Sequence, residues 1–148
     1  MAQWPLMLAA LVTGALVPLQ LAFNAQLGGV TRNAFTASLI VFLVGALVLT
    51  MIVAATRPTL PTASELVAAP TTVWLGGAIA TGYVVAIVVL TPKLGVGLTT
   101  GLILVGQIMT ALVLDHLGAF GNAQHSLNAG RLAGLALMIA GIATIKMY

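Results

Sequence analysis

Residues 34–55 read AFTASLIVFLVGALVLTMIVAA, a run without one charged side chain. A helix rises 1.5 Å per residue, so about 20 apolar residues cross the ~30 Å hydrocarbon layer of a bilayer. This stretch is therefore long enough to span. Working outward from it, residues 5–23 form an earlier apolar stretch, and residues 72–90, 94–114 and 132–147 form three later ones. Transmembrane β-strands would instead alternate apolar and polar positions over about 10 residues, and none of the five stretches does so. The expected fold is an all-α integral membrane protein, with five transmembrane helices in one domain over residues 1–148.

Composition agrees. Hydrophobic residues make up 61% of the chain and charged ones only 5%, with a mean hydropathy of +1.18. A soluble domain carries about 25% charged residues. The sequence pI of about 10.0 comes from five Lys and Arg against two acids. These bases stand singly near span ends, where long cationic side chains anchor a helix at the interface. Nucleic-acid binding needs Lys and Arg clustered on one face, so no nucleic-acid partner is expected. With no cysteine, disulfides and thiol chemistry are excluded. Met1-Ala2-Gln3-Trp4 carries no basic residue, so the first stretch reads as a retained span rather than a signal peptide.

If five spans alternate across the membrane, Arg57 and Arg131 lie on the side of the N-terminus, and Arg32, Lys93 and Lys146 on the other. Orientation follows a lopsided Lys/Arg count in short loops. Two against three gives almost no bias. An odd number of spans inserting both ways up is what an antiparallel, dual-topology homodimer requires.

Between the spans, Thr62-Ala63-Ser64-Glu65 fits a capping box ahead of a short interfacial helix that stops at Pro70. Thr91-Pro92-Lys93 is expected to be a tight turn joining spans three and four, and residues 115–129 a loop rich in Gly and Asn. Small residues four apart (Ala10/Gly14, Ala78/Gly82, Gly97/Gly101, Gly130/Gly134) suit close helix packing in lipid.

Polar side chains at membrane depth carry the functional information. Thr13, Gln20 and Asn24 recur at i, i+7 and i+11, a single stripe of the first span on the side of Pro18. Pro18 lies mid-span and cannot donate to the Gly14 carbonyl, so Gly14 and Pro18 are expected to mark a helix break. Thr100 and Gln107 repeat the spacing in span four. In span three Trp74 and Thr81 share a face and Tyr83 turns toward another. A buried amide without a partner costs several kcal/mol. Gln20, Asn24 and Gln107 therefore either bond helix to helix or line a polar cavity. Three amides beside a mid-helix proline favour a solute-binding cavity, with Trp74 and Tyr83 as further lining candidates.

Asp115-His116 closes span four. A carboxylate beside a residue titrating near neutrality is a candidate proton relay, although a span end also suits charged groups without any function. Residues for a metal site are too few to converge, and no metal or other cofactor is expected. No span holds an acid, a pair of haem-type histidines, a catalytic triad or a phosphate loop, so enzyme chemistry has no visible equipment.

The order of Pro18-Leu19-Gln20, Asn24-Ala25-Gln26-Leu27, Phe42-Leu43-Val44-Gly45, Trp74-Leu75-Gly76-Gly77 with Tyr83, Pro92-Lys93-Leu94-Gly95, Gly106-Gln107 and Leu114-Asp115-His116-Leu117-Gly118-Ala119-Phe120-Gly121 resembles the bacterial YdcZ-type family. These are five-helix members of the drug/metabolite transporter superfamily. The resemblance covers nearly the whole chain and implies a half-transporter of the bacterial inner (plasma) membrane, paired as a dual-topology homodimer. Small multidrug-resistance relatives use a glutamate in the first helix, where this chain has Gln20 and Asn24. The expected function is transport of a small-molecule solute by an antiparallel homodimer in contact with membrane lipid. The alternative is a non-transporting membrane subunit that scaffolds or regulates a partner complex.

Overall fold

The computed structural model describes residues 3–121 and 123–148. Six α-helices follow in order: α1 Trp4–Thr31, α2 Ala34–Thr56, α3 Ala63–Ala68, α4 Leu75–Leu94, α5 Val96–Leu117 and α6 Ala129–Met147. A 3-10 turn, Thr71–Trp74, leads into α4. Five of these segments are long and apolar enough to cross a membrane; with its 3-10 lead-in, the third runs Thr71–Leu94. No strand occurs among the described residues.

Cap chemistry sets several boundaries. Asn33 Oδ1 accepts the Thr36 N–H at 3.0 Å and starts α2. Asn128 Oδ1 accepts the Arg131 N–H at 2.9 Å and starts α6. The expected capping box is present on α3: Thr62 Oγ1 accepts the Glu65 N–H at 3.3 Å, and Glu65 Oε2 accepts the Thr62 N–H at 2.7 Å.

Three sequence expectations need correction. The break expected at Gly14 and Pro18 does not interrupt α1, which is continuous through Pro18. The proline removes one backbone bond and crowds one turn, and the remaining i→i−4 bonds carry the helix on. The first helix also extends past the expected bound at Phe23 to Thr31. Thr91-Pro92-Lys93 is not the turn between spans three and four, because α4 runs through Pro92 to Leu94. The chain turns instead at Gly95, whose φ of +81° is open to glycine and costly for other residues.

The helices group into two compact units. One comprises the chain up to Pro18 with Leu94–Tyr148, the other Leu19–Lys93. In the first, α5 packs on α6. Gly101 makes room there, since a Cβ on it would lie 3.1 Å from Ile142 Cγ1. In the second unit lie the buried apolar side chains found among the described residues: Leu21, Ala37, Val84, Ile87 and Val88. There α1 meets α4 at Gly28, where an added Cβ would come 2.5 Å from Val88 Cγ1. Most other large apolar side chains face outward, as lipid-facing helices require.

Candidate functional site

In the first unit, Gln107 stands near the middle of α5, about 16 Å along the helix from Val96. Its side chain is exposed and makes no hydrogen bond among the described residues. It lines a cleft of about 400 Å³ with Ala10, Leu11, Gly14, Thr100 and Leu104. The cleft wall opposite Gln107 is apolar, and Gly14 has nothing within 4 Å of where its Cβ would be. Thr100 Oγ1 donates to the Val96 carbonyl at 2.8 Å, leaving its lone pairs free to accept. Gln107, Thr100 and Gly14, all singled out from sequence, thus come together around one space.

In the second unit, Gln20 is exposed and lies one helical turn before Asn24 on α1. Asn24 is 5% exposed, and its Nδ2 has no hydrogen-bond partner among the described residues. Thr91 on α4 is 4% exposed and its Oγ1 is likewise unpartnered. Helical threonines usually return their proton to the carbonyl four residues back. Thr13, Thr50, Thr56, Thr81 and Thr144 all do so, whereas Thr91 and Thr99 do not. A buried polar group left unpaired costs about 1–3 kcal/mol. Sequence reasoning singled out Asn24 but missed Thr91 and Thr99, because a threonine in an apolar helix looks the same whether its hydroxyl is bonded or not.

Trp74 ends the 3-10 turn and is exposed, and Tyr83 is half-buried on α4. Thr81 lines a cleft of about 330 Å³ with Phe35, Ser38 and Phe42 in the same unit.

Asp115 and His116 are engaged in holding the loop after α5. Asp115 Oδ2 pairs with Arg131 Nη1 at 3.3 Å, and the same nitrogen donates to the His125 carbonyl at 3.2 Å. The Asp115 carbonyl accepts the His125 N–H at 2.9 Å. Gln124 Nε2 donates to the His116 carbonyl at 2.8 Å, and His116 Nδ1 accepts the Leu127 N–H at 3.3 Å. That last bond requires an unprotonated Nδ1. Arg131, sixteen residues from its partner, is the member of this network that no local pattern signals.

The polar groups at Gln20, Asn24, Thr91, Thr99, Thr100 and Gln107 are neutral amides and hydroxyls. They can select a solute by hydrogen bonding and carry no charge to exchange.

The family model described as "Putative inner membrane exporter, YdcZ" matches residues 5–144. Neither a curated protein nor a solved structure matches the chain.

Proposed function

The chain belongs to the YdcZ family and is a multi-pass protein of the inner membrane; from that premise we propose that it carries a small, hydrogen-bonding solute as an antiparallel homodimer. Each chain is a single half-transporter domain, and the solute site lies near the two-fold axis. Gln20, Asn24 and Gln107 supply donors and acceptors, Trp74 and Tyr83 supply ring faces, and Gly14 with Pro18 shapes the wall.

The observation that carries this reading is Gln107. An amide exposed near the centre of a membrane helix, without a partner among the described residues, costs several kcal/mol against lipid. A second copy placed over the Gly14–Gln107 cleft removes that cost and encloses a polar space. Transporters commonly build a midplane site from two inverted halves in this way. The nearly even split of Lys and Arg between the two sides supports insertion both ways up. Neutral amides accept no driving proton, so transport through this site is either uncoupled or coupled through Asp115 and His116 at the span end, with uncoupled transport the reading favoured.

The test starts from a thermal-stabilisation screen of the purified protein against small polar solutes, since a ligand held only by the folded state raises the melting point. Stabilising solutes are then measured for flux into proteoliposomes. Flux of at least one hit above protein-free vesicles is expected. If every stabilising solute stays outside, the transport reading fails and the scaffold alternative gains.

A further inference from the structure

Where α1 passes to α2, Arg32, Asn33 and Lys93 line one cleft of about 440 Å³ with Gly28, Gly29 and Pro92. The link between the helices is only Arg32 and Asn33, so neither residue rides on a slack loop. Arg32 holds a left-handed φ of +55°, a conformation that costs a residue bearing a side chain. Asn33 Oδ1 is committed to the α2 N-terminus, which leaves its amide NH2 free to donate.

Nothing in this unit neutralises the two cations. Among the described residues the ion pair is Arg131 with Asp115, in the other unit. The sole carboxylate between residues 19 and 93 is Glu65, and it is bonded to Thr62. Two unneutralised cations facing one space repel each other unless an anion sits between them.

We propose that this cleft binds a phosphate group, with the Arg32 guanidinium gripping two phosphate oxygens and the Lys93 ammonium acting as a point charge. It is a site separate from the solute cavity and does not rest on the transport reading. The phosphate belongs either to an anionic lipid headgroup at the span ends or to a soluble phosphate ester. Basic groups near an anionic surface each contribute enough that losing both weakens binding about 30-fold.

The full chain, purified in detergent, is titrated with phosphatidylglycerol, with phosphatidylcholine of the same acyl chains, and with inorganic phosphate against chloride of equal ionic strength. Bound lipid is counted by native mass spectrometry and anion binding by thermal shift. Arg32→Asn with Lys93→Gln removes the cations, with Asn chosen because it tolerates the left-handed backbone. Gly29→Leu fills the cleft from a position with open space around its Cβ, and so tests the site even if the double variant fails to fold. Arg57→Gln with Lys146→Gln removes equal charge elsewhere.

Phosphatidylglycerol should bind in preference to phosphatidylcholine, weakened about 30-fold by Arg32→Asn with Lys93→Gln, weakened also by Gly29→Leu, and unchanged by the control pair. Stabilisation by inorganic phosphate as well assigns a soluble ligand; its absence assigns the headgroup. Equal binding of both lipids with no phosphate effect, or an equal loss in the control pair, overturns the proposal.

Discussion

Replacing Gln107 by leucine separates a solute-binding role from a structural one. The substitution removes a carbonyl and an NH2 from the middle of α5 while keeping a side chain of similar bulk in the 400 Å³ cleft. Among the described residues Gln107 makes no hydrogen bond, so the variant breaks none there and its stability should stay within about 0.5 kcal/mol of the native chain. One or two hydrogen bonds to a solute contribute about 1–3 kcal/mol in total, so affinity should fall about 5- to 150-fold. If the amide instead served helix–helix bonding, the loss would appear as about 0.6–2 kcal/mol of stability, with solute binding spared. Stability is read from the midpoint of reversible unfolding in SDS, and affinity from calorimetry with a solute found by the stabilisation screen. A variant that unfolds earlier yet binds as tightly as the native chain would refute the assignment.

Gly28→Ala should destabilise the protein by about 1–3 kcal/mol, because its Cβ would overlap the buried Val88 methyl at 2.5 Å; adding Val88→Ala should recover part of that loss, and strictly additive SDS midpoints would contradict the α1–α4 contact. Asp115→Asn with His116→Gln should leave solute flux unchanged with or without an imposed pH gradient, since the pair is bonded to Arg131 and Leu127; gradient-driven accumulation in the native chain that disappears in the variant would show a relay. Glu65 is held below its ordinary value near 4.5, first by the Thr62 N–H and then by the Thr62 hydroxyl. A depressed carboxyl stabilises the fold above its unfolded pKa, so the capping box should persist at neutral pH and weaken only as pH falls through the lowered value. Carboxyl NMR titration of Thr62→Ala should move Glu65 back toward the ordinary range, and an unmoved titration would deny the hydroxyl's part.

Legibility from sequence followed how local each signal was. The 34–55 run and the Thr62–Glu65 box are contiguous patterns, and the structure has both a spanning helix and the reciprocal cap there. The prolines misled because a proline looks like a stop in sequence, although it deletes one backward bond and little else. Pro18 and Pro92 both lie inside helices, while Gly95, with its positive φ, makes the turn. Among the glycines of the four small-residue pairs, an added Cβ would press on a neighbouring helix at Gly101, against Ile142, whereas the tightest such contact among the described glycines falls at Gly28, outside all four. Such contacts depend on which helix arrives opposite, and spacing within one helix holds no record of that. The polar stripe of α1 is legible as Gln20 and Asn24. That the Asn24 amide is buried and its Nδ2 unpaired among the described residues depends on which helices pack around it, and spacing within α1 does not record that.

Insertion in both orientations is the requirement on which an antiparallel homodimer stands. The chain has no cysteine, so Tyr148→Cys places a single thiol at a fully exposed position beyond α6. Labelling it in intact spheroplasts with a membrane-impermeant maleimide, then again after permeabilisation, counts the two orientations directly. The Lys/Arg split of two against three predicts that roughly half of the molecules label from outside and the remainder only after permeabilisation. Labelling of nearly all molecules, or nearly none, before permeabilisation would contradict the antiparallel homodimer.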